Sequence, residues 1–357
     1  MSEQTTFSAG GYTGVVVSDA LPLDNSPLAD DVVLGVGGAA RTLLHITPRK
    51  HFHRVWDLGC GSGVQSVIAA QHADHVVATD IDQRALDFTQ QSAALNNVSI
   101  ETRLGSLFEP VANEKFDLIV SNPPFVIGGV TQLTHRESPY EADGLTKQLL
   151  EGLPHHLSSD GIAVILATWL VTDDDWQERI AQWIPDNIGA WVALRDMQDV
   201  DAYVHTWMND AGIDNQDVAD QWKQRLAEWK ATYVAFGWIV LQAGSEFVTM
   251  EDVRHAPALP SGDDVLKVLD LAQAAEDLSA STMLTTSLRH GPGESWRGDI
   301  GLDSVLAGVY SRLDGQKLLP EIVTELAAET GFDQDDLLIL GLVGAKRLVG
   351  LGLALLD

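Results

Sequence analysis

The run "FDLIV", Phe116 to Val120, is apolar, and it is followed by "SNPPF", Ser121 to Phe125. Proline removes a backbone donor and fixes φ, so two in succession end any strand ladder. The residue before a proline is held extended. Asn122 is therefore fixed by Pro123, and Pro123 by Pro124. The stiff stretch that results lacks two donors and keeps its acceptors. The Asn122 side-chain oxygen and the Pro123 carbonyl can face a single NH2 group, and Phe125 offers a flat face for a planar substrate. An amide or aromatic amine nitrogen is a poor nucleophile because its lone pair is delocalised. Two acceptors gripping its hydrogens orient it for in-line attack and stabilise the positive charge that develops. The pattern suits transfer of a methyl group to a planar nitrogen. A sulfonium donor is already activated, so no metal is called for. The plainer alternative is a strand that ends in a rigid turn.

A second group of residues bears on the donor. "DLGCGSG", Asp57 to Gly63, joins a strand-like segment to a helix-like one. Gly59, Gly61 and Gly63 permit a tight turn and a close backbone approach to a ligand. No Gly-Lys-Ser/Thr follows, which excludes a P-loop. The leading Asp57 suits a ligand bearing an ammonium group better than a pyrophosphate. Asp80 ends the next strand, where an acid can accept both ribose hydroxyl protons. On these two features alone a nicotinamide cofactor stays open, and Asp80 could instead be a helix-capping acid. Asp82 is better placed for that capping role. A third strand ends at "GSLFEP", Gly105 to Pro110, whose loop belongs beside an adenine.

Elements that could bring these groups together follow from the pattern. "RVWDLG", "HVVATD", "SIETRLG", "FDLIVSN" and "GIAVILAT" read as strands. They alternate with helical segments such as "VQSVIAAQHA" and "DQRALDFTQQSAALNN". That alternation predicts a parallel sheet covered on both faces. "AWVALRD" and "AFGWIVLQ" bring the expected number of strands to seven, with a tryptophan-rich helical insertion between them. Residues 1–30 read as an irregular N-terminal extension with a short strand at "GVVVS". Residues 31–245 form the sheet domain, and 246–357 a small, mostly helical domain in which a winged-helix-like arrangement is one option. The expected fold is an α/β, Rossmann-like seven-stranded sheet with that helical appendage.

The chain has 357 residues and a formal net charge of −29, with 45% apolar residues. Such a surface repels phosphate polyanions unless a basic patch intervenes. The clear cationic cluster is Arg41, Arg49, Lys50 and Arg54, placed before the first sheet strand. No run approaches the ~18–20 apolar residues of a membrane helix. No secretory signal is visible at the N-terminus, and the single cysteine excludes an internal disulfide framework. A cytoplasmic protein with no membrane partner is the expectation.

"DLGCGSG", "ATD" and "SNPPF", in this order, resemble the class I S-adenosylmethionine-dependent methyltransferases that carry an Asn-Pro-Pro-aromatic motif. The resemblance covers about residues 30–245. It implies that Asp57, Gly59, Gly61 and Gly63 bind the methionine part of S-adenosylmethionine. It further implies Asp80 on the ribose, with Ile81, Ser106 and Leu107 near the adenine. Asn122 lies next to the donor, and Asn122, Pro123, Pro124 and Phe125 serve as the catalytic stretch. Asp143, Gly144 and Leu145, with the looser "ESPY" before them, look like the segment that follows the motif in release-factor glutamine methyltransferases. "VLGVGGAARTLL" stands where those enzymes have a cofactor-covering segment. Their motif usually ends in Tyr where this chain has Phe125, and their N-terminal helical domain has no counterpart here. The whole chain looks most like an actinobacterial branch of these enzymes. The implied acceptor is a protein glutamine on a release factor or ribosomal protein. The alternative is an exocyclic amine of an adenine or guanine base in RNA or DNA. The oligomeric state is not legible.

Three other features are expected to be structural, and a fourth is open. His51 and His53, and His155 and His156, lack companion ligands at metal spacing. Cys60 reads as a space filler. Trp222 and Trp229 have core-packing spacing. Trp169, ending the fifth strand, has equal claims as core and as pocket lining.

Overall fold

The computed structural model describes residues 2–20, 31–128, 140–173, 175–298 and 300–356. Glu137, Ser138 and Pro139 of the loose "ESPY" match lie outside them. The chain divides into two compact units, Met1–Gly244 with Met250–Arg254, and Ser245–Thr249 with His255–Asp357.

The first unit opens with an antiparallel hairpin, β1 (Ser2–Ala9) and β2 (Tyr12–Asp19), where an irregular extension was expected. Gly10 and Gly11, at φ 56° and 86°, supply the two left-handed residues that a tight hairpin turn requires. β1 is polar and mostly exposed, so its sequence reads as loop. Pairing with the apolar β2 makes it a strand.

An eight-stranded sheet follows. Its strands are β3 (Phe52–Leu58), β4 (Ala73–Asp80), β5 (Glu101–Leu104), β6 (Phe116–Ser121), β7 (Leu157–Val171), β8 (Ile188–Asp199), β9 (Tyr233–Ala243) and β10 (Val248–Asp252). Their spatial order is β10-β8-β9-β7-β6-β3-β4-β5. β3, β4, β5, β6 and β7 pair in parallel. β9 runs antiparallel to both β7 and β8, which departs from an all-parallel sheet. β10 adds an edge strand to the seven expected; its segment, "VTMED", is too short and too charged to announce itself.

Seven helices belong to this unit: α1 (Gly38–Ile46), α2 (Val64–Ala69), α3 (Gln83–Leu95), α4 (Gly144–Gly152), α5 (Trp176–Ala181), α6 (Val200–Asp210) and α7 (Gln216–Glu228), counted among the described residues. β6 and the second half of β7 are nearly continuous apolar runs, as burial on both faces demands, whereas β5 at the sheet edge is polar. Trp56, Phe116, Ile119, Leu149 and Trp169 share one core cluster, and Tyr203, Trp222, Leu226 and Leu170 share another.

From β3 the chain winds outward through β4 and β5, then returns to the opposite side of β3 as β6. The switch point of the sheet thus lies between β3 and β6, and ligands of open α/β sheets bind at the carboxyl ends there.

The second unit contains α8 (Gly262–Asp277), α9 (Ala280–Thr285), α10 (Ser304–Tyr310), α11 (Leu319–Thr330) and α12 (Gln334–Gly350). A short antiparallel ribbon, β11 (Leu288–His290) with β12 (Ala354–Leu356), accompanies them. Its own core includes Leu306, Val309, Ile322, Val323 and Leu348. Ile339, Leu340 and Val343 of α12 are exposed.

Gly237 marks the tightest packing in the sheet. It pairs with Leu194 beside a register shift in β8, and a Cβ there would sit 1.8 Å from the Ala193 carbonyl oxygen. Backbone cannot yield as a side chain does. Gly237→Ala is expected to destabilise the protein by about 3 kcal/mol, the upper range of overpacking costs. Urea unfolding followed by tryptophan fluorescence checks this, and an unchanged midpoint contradicts the packing described.

Candidate functional site

Leu58 of β3 pairs with Ser121 of β6, and the Ser121 hydroxyl donates to the Leu58 carbonyl at 2.8 Å. The glycine turn begins one residue past Leu58, and the Asn-Pro-Pro-Phe stretch one residue past Ser121. The two sequence features therefore leave the sheet side by side.

Gly59, Gly61 and Gly63 adopt φ of 73°, 54° and 81°. A Cβ on Gly59 or Gly61 would meet nothing within 4 Å, so bare backbone faces open space. At Gly63 it would meet Thr89 at 3.0 Å, so that glycine serves helix packing. Cys60 is buried, and burial pushes its thiol well above the usual range, which makes it inert. The Ser62 hydroxyl donates to the Leu34 carbonyl at 2.8 Å, which lays the segment before α1 against the turn.

Asp57 lies beneath that turn, 1% exposed. Its Oδ2 accepts from the Ser66 amide at 3.0 Å and the Ser66 hydroxyl at 2.5 Å. Burial raises its pKa to about 7, against the opposing pull of the Ser66 bonds. A buried carboxylate of this kind is a standing invitation to a cation.

Asp80 is also raised by burial, opposed by backbone bonds. Its Oδ2 accepts from the Gly61 amide at 2.9 Å and its Oδ1 from the Asp82 amide at 3.0 Å. The helix cap is Asp82, whose Oδ1 accepts from the Arg84 amide at 2.9 Å. Asp80 is thus tied to the glycine turn, and α3 is capped without it. The adjacent Ile81 is 66% exposed. Gly105 donates its amide to the Asp80 carbonyl at 3.0 Å, which brings the end of β5 to the same rim. Ser106 is exposed there. Leu107, half-buried, takes a left-handed φ of 45° and packs on the core.

Across the switch point Asn122 is half-buried, yet its Oδ1 is fully buried and has no hydrogen-bond partner. Pro123 is buried, and Pro124 and Phe125 are half-buried. The Phe125 ring meets Trp207 edge-on at 5.6 Å. A shallow cleft is lined by Pro123, Pro124, Phe125, Asp143, Thr146 and Thr168, among others.

Tyr203, which the sequence did not single out, holds this stretch together with Trp222. Tyr203 Oη accepts from the Ile127 amide at 2.6 Å and donates to its carbonyl at 3.2 Å. Trp222 Nε1 donates to the same carbonyl at 2.9 Å. The tryptophan-rich insertion therefore packs as core, as its spacing predicts, and also fixes the backbone beyond the motif. Asp143 is buried. Its carboxylate takes both Arg179 nitrogens at 2.7 Å and the Leu170 amide at 2.9 Å. Trp169 is fully buried with Nε1 donating to the Trp176 carbonyl, so it is core; its neighbour Thr168 lines the cleft. Strand alternation could have signalled the Trp169–Thr168 division. Nothing in the sequence could have paired Tyr203 with Ile127.

Arg49 and Arg54 of the basic cluster do not join the site. Arg54 pairs with Glu114 at 2.5 Å, and its amide donates to Asp117, at the beginning of β3. Arg49 donates to the Leu44 carbonyl. His51 and His53 both contact Asp74, at 3.0 and 2.9 Å. His156 stacks on Phe108 at 5.2 Å. Among the described residues no group of three His, Cys, Asp or Glu could hold a metal. No helix among them is long and apolar enough to cross a membrane.

An open glycine turn and a rigid run of acceptors, set on either side of one switch point, are the layout of a class I methyltransferase. A family model described as methyltransferase small domain matches residues 35–169. The release factor glutamine methyltransferase of Xylella fastidiosa (strain Temecula1) is 33% identical over 201 residues, covering 53% of this chain and 68% of that protein. The chain belongs to the S-adenosylmethionine-dependent methyltransferases of this family. The ribosomal RNA small subunit methyltransferase C of Escherichia coli O7:K1 is 29% identical over 171 residues. That match spans 47% of this chain and 46% of the relative, about half of each. A solved Thermus thermophilus 16S rRNA N2 G1207 methyltransferase, in complex with AdoMet and guanosine, overlaps 46% of this chain and 42% of its own, at 19% identity and a TM-score of 0.35.

The raised pKa of Asp57 has a consequence for stability. Its folded value, about 7, exceeds the unfolded value near 3.8. The associated stability is full below about pH 4 and is lost as pH rises through 7. Ligand-free Asp57→Asn lacks this loss. Its melting temperature relative to wild type is expected to be higher at pH 8 than at pH 5. Thermal unfolding at the two pH values checks the sign, and equal differences contradict a raised Asp57.

Proposed function

We propose that the protein transfers a methyl group from S-adenosylmethionine to the side-chain amide nitrogen of a protein glutamine. The observation that carries this reading is the buried, partnerless Oδ1 of Asn122. A buried acceptor left unpaired costs about 1–3 kcal/mol, so it is retained for a donor that arrives with a ligand.

The donor half fits the cofactor. Gly59 and Gly61 leave room for the methionine part, and Gly63 shapes the turn. The buried Asp57 carboxylate favours the ammonium group. Asp80 keeps lone pairs for the ribose hydroxyls while its amide partners fix its plane. Ile81 offers an apolar face to the adenine, with Ser106 and Leu107 at its edge. When bound, S-adenosylmethionine supplies a methyl group activated by a sulfonium. Asn122 Oδ1 and the Pro123 carbonyl take the two N–H groups of the acceptor. They aim the nitrogen lone pair along the line of transfer and stabilise the charge that develops on nitrogen. Pro124 keeps that stretch from yielding, and Phe125 covers the amide plane.

Three observations favour a glutamine. A relative that carries this activity in its name aligns over two thirds of its length. Asp143-Gly144-Leu145 matches the segment that follows the motif in those enzymes, and Asp143 is built into the cleft wall. The net charge of −29 repels a polyanion, and Arg49 and Arg54 make their contacts at the opposite end of β3. The second reading, an exocyclic amine on an RNA base, draws on the rRNA relatives. A macromolecular acceptor is common to both.

Tritiated donor incubated with a cell extract, then split between protease and nuclease, tests the acceptor class. Loss of label to protease is expected; loss to nuclease overturns the glutamine reading. In the same assay Asn122→Ala is expected to lower turnover by about 10²–10³-fold, as for other lost transition-state contacts. Binding of S-adenosylhomocysteine by that variant should stay close to wild type. Undiminished turnover removes Asn122 from its role.

A further inference from the structure

Thr168 is 3% exposed, and its Oγ1 is fully buried with no hydrogen-bond partner. It lines the same cleft as Pro123, Pro124 and Phe125. Side chains alternate along a strand. Ala167 and Trp169 face the core cluster that holds Trp56, whereas Leu170 lies in the cluster of Tyr203 and Trp222. Thr168 shares the Leu170 face. The backbone around Thr168 is fixed on both sides. Its carbonyl accepts from the Thr146 hydroxyl at 2.7 Å, and the Leu170 amide, two residues on, donates to Asp143 at 2.9 Å.

Two partnerless polar atoms therefore belong to the acceptor half, one at Asn122 and one at Thr168. The first is an acceptor only, whereas a hydroxyl can donate. A primary amide presents an N–H pair and, across its carbon, a carbonyl oxygen. We infer that Thr168 is a specificity residue whose hydroxyl donates to the carbonyl oxygen of the acceptor amide while Asn122 holds its nitrogen. This rests on the glutamine reading above. The donated bond fixes the amide plane, so Thr168 acts in binding and orientation. Methyl transfer itself forms the new C–N bond and breaks the S–CH3 bond; S-adenosylhomocysteine is the leaving group, and the proton lost from nitrogen passes to water.

The probe is N-acetylglutamine methylamide, with tritium transfer from saturating S-adenosylmethionine as the readout and guanosine as a parallel acceptor. Thr168→Val keeps the shape and removes the hydroxyl; Thr168→Ser keeps the hydroxyl. The valine variant is expected to lose about three- to tenfold in kcat/KM for the amide, the effect of one neutral hydrogen bond. The serine variant should stay within about twofold, and both should bind S-adenosylhomocysteine as wild type does. An unimpaired valine variant, or a serine variant as impaired as valine, overturns the inference alone, provided Asn122→Ala abolishes transfer to the amide. Transfer to guanosine in place of the amide overturns the glutamine reading and the inference with it. Wild-type transfer to neither compound counts against both.

Discussion

The register between β3 and β6 is the constraint on which the rest depends. Leu58 stands opposite Ser121, so the glycine turn and the asparagine-diproline stretch start from adjacent strands. Neighbouring strands lie about 4.8 Å apart. A nucleophilic nitrogen and a methyl donor must approach within ~3–3.5 Å along a line. The sheet sets most of that approach before any ligand arrives. A slip of one residue would turn every side chain of β6 to the other face, and Asp117, whose carboxylate accepts from the His53 and Arg54 amides of β3, would lose those partners.

Around that register, the site departs from the satisfaction found in ordinary interiors. Asp57 is a carboxylate buried under the turn, Asn122 and Thr168 hold buried oxygens without partners, and bare backbone faces open space at Gly59 and Gly61. Each of these costs stability in the empty protein. Each is also what a ligand with an ammonium, an NH2 group and a carbonyl oxygen would satisfy. By contrast, Asp143 meets Arg179 and a backbone amide, and Asp82 caps its helix. Unpaired buried atoms also occur away from the site, among them His72 Nε2, Gln242 Oε1 and Gln273 Oε1, so the unpaired oxygens mark the site only together with the open glycine turn.

Much of this was legible in the chain itself. The central strands β6 and β7 announce themselves because burial on both faces makes them largely apolar. The glycine turn and the double proline announce themselves because few other residues tolerate those conformations. Asp80 and Asp82 could be told apart by their positions relative to α3. β1 and β10 were not legible, because polar edge strands owe their form to a neighbour far along the chain. Likewise the bonds from Tyr203 and Trp222 to Ile127 join residues separated by 76 and 95 positions. No local pattern encodes such a meeting. Trp169 and Thr168 show the intermediate case, where alternation was readable but the larger side chain drew the attention.

The helices α6 and α7 reach the motif through Ile127 and through the ring contact of Trp207 with Phe125, and enter the chain as an insertion between β8 and β9. The glycine turn, Asp80 and the Gly105 turn follow β3, β4 and β5, far along the chain from that insertion. The two groups of residues are thus encoded in separate stretches of gene, so residues 200–228 can be rewritten without touching the turns that follow β3, β4 and β5.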